Sequence, residues 1–391
     1  MSTLSPFRED GEAAAPALLE WLPPLPVLAP AGGTGSGTWV FLVAGFDYER
    51  SGVDFEKIAL RRMSLLIERN RAAQKRAKAT FAQLIDSAPR FVLFDFKSGI
   101  VRRSEVSKPK GERKWTEVAR FTPVTPANYS GATRAHLFDT GAAGTMSIID
   151  VYKHVQELGR TEPGSLRELS FLSHGFLFGP ILVNSDDGLA GDAARDPNDK
   201  DGRLTDFDPP NMDAAAKADF QKAFAPDGFI WVWGCVFANS PRQVLHRVLS
   251  SRKYPQAAGG TLDESETFDF TFSRDHAEQF FDVDPAFFPT RTNGRFPLTF
   301  RRTLADIKTF LNGRLGATYC QTAALAAQVP CFGGLPGTYS DYERGARHNV
   351  MVVPTRKPPY ADNFSGYLRF YKKYTHRELD PEGRNYGRYD P

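Results

Sequence analysis

Leu169-Ser-Phe-Leu-Ser-His174-Gly175 and Phe229-Ile-Trp-Val-Trp-Gly234-Cys235 are two apolar stretches around which the rest of the chain is arranged. Each has the length of a β-strand and stops at a residue able to do chemistry, His174 in the first and Cys235 in the second. Continuous apolar runs of this kind are typical of parallel strands that are buried on both faces. Because ligands bind beyond the carboxyl ends of strands in open α/β sheets, we expect both residues at one edge of one sheet.

The segments around these two runs alternate between strand and helix. Strands are predicted at Thr38–Ala44 and Phe91–Phe96. Four helices are predicted between and after the strands: one from a cap at Ser51 or Asp54 through Ile85, one from Thr145 to a stop at Gly159, one over Asp213–Phe224 and one over Pro241–Ser250. This alternation predicts an α/β fold, a three-layer αβα sandwich with a mainly parallel sheet and right-handed crossovers.

Composition shifts divide the chain into three parts. Residues 1–37 contain several prolines and end in glycines, which predicts a flexible N-terminal leader. These glycines precede the first strand and no lysine follows them, so they do not form a phosphate-binding loop. Residues 38–255 are the predicted α/β core. Residues 256–391 are predicted to be a C-terminal extension that completes the sheet and covers the cleft, and its tail from Pro358 has only short apolar runs.

Size and charge exclude several classes of protein. The chain has 391 residues, 41% hydrophobic and 24% charged, with a net charge of +3. This balance argues against nucleic acid as the main partner, and no apolar run is long enough for a transmembrane helix. The N-terminus lacks the order of a signal peptide, so we expect a cytoplasmic location, with export by a signal-less route as the alternative. Three cysteines are too few for a disulfide framework, which predicts free thiols.

The two strand-end residues suit nucleophilic catalysis. A thiol attacks a carbonyl only as the thiolate, which a nearby imidazole or a helix N-terminus favours, and Cys235 lies between a predicted strand and a predicted helix. Gly175 lets a substrate carbonyl approach the backbone closely. The backbone N–H groups of Gly175 and Cys235 are therefore candidate donors to an oxyanion during acyl transfer.

This pattern resembles the caspase-like clan of cysteine peptidases, which includes caspases, metacaspases, gingipains, legumains and separases. Their shared signature is an apolar strand ending in His-Gly and a later apolar strand ending in a small residue and Cys, here Ser173-His174-Gly175 and Gly234-Cys235. The chain has Trp-Gly-Cys-Val-Phe where caspases have Gln-Ala-Cys-x-Gly, so the resemblance is to the clan rather than to caspases. It covers roughly residues 38–255 and implies a Cys-His dyad that hydrolyses amide bonds.

Polar segments outside the two strands have simpler interpretations. Residues 184–211 contain eight aspartates and are predicted to be a solvated acidic loop. Calcium binding there is the alternative, although Pro197 occupies the first ligand position of an EF-hand-like pattern, so no metal ligands are assigned. A third interpretation makes Asp206 or Asp208 a partner of a basic substrate side chain. The arginines and lysines of residues 61–78 are predicted to lie on a solvated helix face, and residues 102–114 form a basic, mobile loop or exposed hairpin.

Two further features remain open. Gly333 to Thr338 follows a predicted sheet strand, so Gly334 either lines the cleft or belongs to a plain turn. Cys320 and Cys331 flank an apolar helix and an apolar run, which predicts core packing. A metal-free peptidase is thus the favoured function, with a protein or peptide as substrate and an undetermined oligomeric state. The alternatives are a catalytically silent caspase-like binding module and another cysteine-dependent amidase. The absence of Gly-x-Ser-x-Gly, His-Glu-x-x-His and Cys-x-x-Cys favours cysteine chemistry over serine or zinc chemistry.

Overall fold

A computed structural model gives the architecture of the chain. It describes residues 38–49, 51–107, 110–125, 144–185, 194–195, 199–236, 238–254, 260–275, 286–289, 296–342, 350–354 and 364–391. The predicted leader at residues 1–37 lies outside the described residues, as do parts of the acidic segment and of the C-terminal extension.

The described residues form the following strands and helices, given in chain order. The strands are β1 (Trp39–Ala44), β2 (Arg90–Asp95), β3 (Ile100–Val106), β4 (Arg113–Arg120), β5 (Leu166–Leu172), β6 (His174–Phe176), β7 (Gly179–Ile181), β8 (Phe224–Val232), β9 (Thr267–Phe272), β10 (Leu298–Thr303), β11 (Cys331–Gly333), β12 (Asp341–Tyr342), β13 (Met351–Val352) and β14 (Gly387–Tyr389). The helices are α1 (Phe55–Arg76), α2 (Phe81–Asp86), α3 (Ile148–Thr161), α4 (Ala214–Ala223), α5 (Asn239–Ser250), α6 (Leu304–Gly316), α7 (Tyr319–Ala327) and α8 (Phe364–Tyr374). None of these helices is long and apolar enough to cross a membrane.

Eight strands form the central sheet, in the order β14-β11-β8-β5-β1-β2-β3-β4. The five strands from β11 to β2 run parallel to one another, whereas β14 at one edge and β3 and β4 at the other pair antiparallel. The predicted α/β class with a mainly parallel sheet is therefore confirmed. The basic segment at 102–114 belongs to the β3–β4 hairpin, apart from residues 108 and 109, which lie outside the described residues.

Helices cover both faces of the sheet because the inner strands are apolar on both faces. In β1, Val40 and Leu42 belong to a cluster with α1, whereas Phe41 and Val43 belong to a cluster with α3. Side chains that alternate between the two faces of the strand thus contribute to two separate cores. The result is a sandwich of three layers, with α1 on one side of the sheet and α3, α4 and α7 on the other.

The C-terminal ends of α1 and α3 lie at other residues than the sequence predicts. The long helix predicted through Ile85 ends at Arg76, and α2 starts separately after a capping box formed by Thr80 and Gln83. Gly159 was expected to stop α3, but the helix continues to Thr161. Gly159 lies where α3 meets α4, because a Cβ at this position would be 1.8 Å from the carbonyl oxygen of Asp219. The glycine therefore permits close helix packing instead of ending the helix.

The C-terminal part contributes strands to the central sheet and buried residues to the cores on both of its faces. Strands β11 and β14 extend the sheet beyond β8, and β9 and β10 form a separate hairpin. The tail after Pro358 has only short apolar runs, but α8, which the sequence analysis does not predict, buries an apolar face that includes Phe364, Leu368 and Phe370. The division into a core ending at residue 255 and an extension from residue 256 stays a prediction.

One arginine corrects the prediction of a solvated basic face on α1. Arg62 is fully buried and forms paired hydrogen bonds with Glu168 of β5, at 2.9 Å, and with Glu382, at 2.7 and 2.8 Å. Arg69 also contacts Glu382, at 2.6 Å. These arginines hold the pKa of the Glu382 carboxyl at about 2, against the opposing effect of burial, which is the largest contribution. The cluster ties the C-terminal segment to the first helix and to the centre of the sheet.

Candidate active site

Three neighbouring parallel strands end beside one another and place Asp47, His174 and Cys235 at one edge of the sheet. Ala44 at the end of β1 is in register with Leu172 at the end of β5, and Phe171 of β5 is in register with Val232 at the end of β8. Each functional side chain follows its strand within three residues. Because the strands are parallel and adjacent, their carboxyl ends bring these residues to the same side of the fold.

The segments that carry His174 and Cys235 lie in direct backbone contact. A Cβ at Gly234 would be 2.8 Å from the Cα and N atoms of Gly175 and 2.9 Å from the carbonyl carbon of His174. A Cβ at Gly175 would be 3.0 Å from the carbonyl oxygen of Cys235. The two glycines therefore allow an approach that any side chain would prevent.

The imidazole of His174 is held by an acid and two aromatic rings. Its Nε2 atom lies 3.0 Å from Oδ1 of Asp47. Tyr48 and Phe55 contact the ring edge-on, with centroid distances of 4.9 and 5.1 Å. When Nε2 donates its proton to Asp47, Nδ1 carries a lone pair and can accept a proton from a thiol.

Asp47 was not selected from the sequence. Its Oδ1 atom accepts a hydrogen bond from the Ser51 hydroxyl at 2.9 Å, and Oδ2 accepts the backbone N–H groups of Gly52 and Val53 at 2.8 and 3.1 Å. Burial raises the pKa of Asp47, but hydrogen bonds from His174 and Ser51 outweigh burial and lower it overall. The carboxylate is thus charged at neutral pH and can accept a hydrogen bond from the imidazole. Its position just after the strand next to the histidine strand was the available signal.

Cys235 is partly exposed and its sulfur contacts one backbone segment. The N–H of Ser340 donates to Sγ at 3.3 Å, and the Cys235 thiol donates to the carbonyl oxygen of the same residue over a longer distance of 3.6 Å. An N–H donor at the sulfur favours the thiolate, because it stabilises negative charge. Helix α5 begins shortly afterwards at Asn239, ahead of the predicted start at Pro241, with no side-chain cap bond from Ala238.

The three residues proposed to contact substrate occupy different settings. Asp206 is fully buried and accepts hydrogen bonds from Arg195, from the Arg203 N–H at 2.9 Å and from the Tyr152 hydroxyl at 3.3 Å. These internal partners occupy the carboxylate, which is closed off from solvent, and contact of Asp206 with a substrate stays a prediction. Asp208 is exposed and pairs with Lys217 at 3.0 Å.

Gly334 lies beyond β11, on the far side of the cysteine strand from His174. A Cβ at this position would be 3.0 Å from Cγ2 of Val236, the residue after Cys235. Its carbonyl oxygen accepts a hydrogen bond from the Tyr389 hydroxyl at 2.8 Å. Gly334 is buried here, and contact of Gly334 or Asp208 with a substrate stays a prediction.

The prediction of a solvated acidic loop is wrong for three aspartates of this segment, because Asp199, Asp201 and Asp206 are buried. Asp201 accepts the N–H groups of Leu182, Val183 and Ser185 at 2.6–2.8 Å. Burial, together with the nearby Asp199 carboxylate, raises the pKa of Asp201 to about 6. Within the described ranges, which omit 186–193 and 196–198, no group of three or more His, Cys, Asp or Glu residues could hold a metal ion. Calcium binding stays a prediction.

The other two cysteines lie in the core, as predicted. Cys320 and Cys331 are 2% and 0% exposed, and both are free thiols. Burial, reinforced by the neighbouring Cys320, raises the pKa of the Cys331 thiol well above its usual value. Neither thiol is therefore suited to act as a nucleophile.

Comparison with known proteins adds one weak structural match. No protein-family model and no curated protein matches the chain. Among solved structures, the chain is similar to a secreted C11 cysteine protease from Bacteroides thetaiotaomicron in complex with an irreversible peptide inhibitor, with 11% identity and a TM-score of 0.27 over 87% of this chain and 97% of that chain. At this TM-score the similarity carries no argument about the fold or the activity.

Proposed function

We propose that the chain is a cysteine-dependent peptidase, with Cys235 as the nucleophile and His174 as the general acid and base. The observation that carries the proposal is the contact between the two strand ends, in which Gly175 and Gly234 bring the histidine and cysteine segments together. A thiol and an imidazole at one sheet edge, with a carboxylate behind the imidazole, form the arrangement that activates a nucleophile. The clan resemblance in the sequence points to the same pair.

The reaction starts with transfer of the Cys235 proton to Nδ1 of His174. The thiolate then attacks the carbonyl carbon of the scissile amide, and the carbonyl oxygen takes up the negative charge. Collapse of this intermediate breaks the C–N bond, while His174 returns the proton to the leaving amine. Water, deprotonated by His174, then hydrolyses the thioester and releases the carboxylic acid and the free thiol.

Asp47 is the residue that orients the imidazole in this scheme. Its hydrogen bond to Nε2 selects the tautomer with a free lone pair on Nδ1 and stabilises the imidazolium formed after proton transfer. The N–H groups of Gly52 and Val53 and the hydroxyl of Ser51 hold the carboxylate in place.

Gly175 and Cys235 are proposed to supply the oxyanion donors. A two-residue turn joins β6 and β7, so the pair that closes the turn, Phe176 and Gly179, is a hydrogen-bonded pair. Gly175 belongs to the next pair along the ladder, opposite Pro180, which has no N–H. The alternation of an antiparallel ladder then directs the Gly175 N–H away from β7. Gly234 and Cys235 lie against Gly175, with the Cys235 nitrogen 3.3 Å from a Cβ built at Gly175.

The test is hydrolysis of a peptide library by the wild-type chain and by Cys235→Ala, His174→Ala and Cys320→Ala. We expect no turnover for Cys235→Ala, a loss of about 10²- to 10⁴-fold for His174→Ala, and little change for Cys320→Ala. Small amide substrates run in parallel distinguish a peptidase from another cysteine-dependent amidase. A wild-type chain that binds peptides and cleaves none of them would support the binding-module alternative, and activity that survives Cys235→Ala would rule out this nucleophile.

A further inference from the structure

The peptide units on either side of Gly234 are held by two side chains from distant parts of the chain. The hydroxyl of Tyr386 lies 2.8 Å from the carbonyl oxygen of Trp233, and the hydroxyl of Ser340 lies 2.8 Å from the carbonyl oxygen of Gly234. The two hydroxyl oxygens are themselves 3.0 Å apart. A continuous polar contact therefore runs from Tyr386 through Ser340 to the strand end that carries Cys235.

This contact fixes the direction of the Cys235 backbone N–H. The carbonyl of Gly234 and the N–H of Cys235 belong to one planar trans peptide unit, so they point in opposite directions. A hydrogen bond that holds the Gly234 carbonyl therefore also sets where the N–H points. The bond from Ser340 Oγ thus aims the proposed oxyanion donor from behind, without touching a substrate.

The same segment also acts on the sulfur. Because Ser340 donates its backbone N–H to Sγ of Cys235 at 3.3 Å, a displacement of this residue removes a donor that favours the thiolate. Ser340 therefore bears on both groups of Cys235 that the proposed reaction uses, the sulfur through its N–H and the backbone N–H through its hydroxyl.

Tyr386 is held firmly enough to position Ser340. It is fully buried, and its ring contacts Trp231 and Trp233 edge-on at 5.7 and 5.4 Å. Asp380 accepts its backbone N–H at 2.8 Å and donates its own N–H back to the Tyr386 carbonyl at 2.7 Å. Burial raises the pKa of the Tyr386 phenol well above its usual value, so the hydroxyl keeps its proton over the whole neutral range.

We propose that Tyr386 and Ser340 are positioning residues that orient the Gly234–Cys235 peptide unit and stabilise the reactive thiolate. This role rests on the proposed peptidase function, but it also governs the reactivity of the Cys235 thiol alone. Neither residue contacts the scissile bond in this scheme. Their effect comes from preorganisation of a nucleophile and a donor by groups behind them.

The experiment compares Tyr386→Phe and Ser340→Ala with wild type, using Ser340→Thr as the conservative replacement and Tyr152→Phe as a matched control. Tyr152 is a buried tyrosine with a hydrogen-bonded hydroxyl in the opposite helical layer. The first measurement is the rate of Cys235 alkylation by iodoacetamide against pH, followed by mass spectrometry. The second is kcat and KM on a peptide that the wild type cleaves.

We expect alkylation of Cys235 in Tyr386→Phe and Ser340→Ala to shift to higher pH. We also expect kcat to fall by roughly 10- to 100-fold with little change in KM, because a misaligned donor weakens the transition state. Ser340→Thr keeps the hydroxyl, so its alkylation profile and its kcat should be close to those of the wild type. Tyr152→Phe should leave the alkylation profile and kcat unchanged. An alkylation profile equal to wild type in both variants would overturn the positioning role even if peptidase activity is found. Shifted profiles with no peptidase activity in any chain would keep the positioning role and reject the proposed function.

Discussion

Two thiol environments in neighbouring strands differ in ways that explain which thiol can react. Cys331 lies inside the sheet, in register with Ile230 of β8, and Cys320 packs beside it from α7. Cys235 lies beyond the end of β8, partly exposed, with an N–H donor at its sulfur. Inside the ladder a thiol loses water and gains a second thiol as neighbour, which disfavours the thiolate. Beyond the ladder it gains an N–H donor that favours the thiolate, so we expect position along the strand to decide reactivity.

The largest expected difference between the two environments is in alkylation rate. We expect iodoacetamide to modify Cys235 of the folded chain about 10³-fold faster than Cys320 or Cys331, because the buried thiols react only when the core opens. The rates are read by mass spectrometry of the separate peptides, with a sample unfolded in guanidinium as the control in which all three react alike. Equal rates in the folded chain would remove the distinction between the two regions.

Gly234→Ala tests the close approach between the backbone segments that carry His174 and Cys235. The added methyl group would meet backbone atoms of His174 and Gly175, which cannot move aside as a side chain can. We expect turnover to fall about 10²-fold, since a displacement near 1 Å costs that much. Gly313→Ala in α6 is the control, because a Cβ there meets nothing within 4 Å. Full activity in Gly234→Ala would contradict the contact between the two strand ends.

Asp47→Asn tests the carboxylate beside His174, a feature of the Cys235 region that the surroundings of the core thiols lack. The amide keeps the shape of the carboxylate but can no longer stabilise the imidazolium, so we expect turnover to fall about 10²-fold, the lower end of what general acid–base catalysis contributes. Asp54→Asn is a matched control, since Asp54 caps α1 through the Lys57 N–H and asparagine caps helices equally well. If both variants lose activity equally, Asp47 has no special role in the site.

The sequence was sufficient for the elements that depend on local pattern. Buried parallel strands appear as apolar runs, so the order of strands and helices and the chemistry-bearing strand ends at His174 and Cys235 follow from the residues alone. Asp47 could not be selected in the same way. Asp47 follows a predicted strand closely, as His174 and Cys235 do, but its role depends on which strands are neighbours, and the order of elements does not give that.

Buried polar groups account for the remaining errors. Arg62 belongs to a run of basic residues that is typical of a solvated face, but its partner Glu382 is 320 residues away. Three tyrosines of the C-terminal tail are buried because their hydroxyls reach backbone carbonyls: Tyr371 to Pro336, Tyr386 to Trp233 and Tyr389 to Gly334, at 2.7–2.8 Å. The distant partners that make burial of these polar groups favourable are visible only in the fold.

The smallest expected effect is on stability at the core thiols. A Cβ at Gly333 would lie 2.2 Å from Sγ of Cys320, so Gly333→Ala overpacks this site and should lower the free energy of unfolding by roughly 1–3 kcal/mol. Cys320→Ala removes the clashing sulfur and leaves a Cβ contact of 3.3 Å, so the double variant should lose less than the sum of the two single losses. Gly313→Ala should instead stabilise α6, because alanine is the better helix former. Urea unfolding of the wild type, the two single variants at Gly333 and Cys320 and the double variant measures the coupling between the two sites. Additive losses would mean that the Cys320 thiol does not limit the space at Gly333. The core thiols would then be packed more loosely than the comparison with Cys235 assumes.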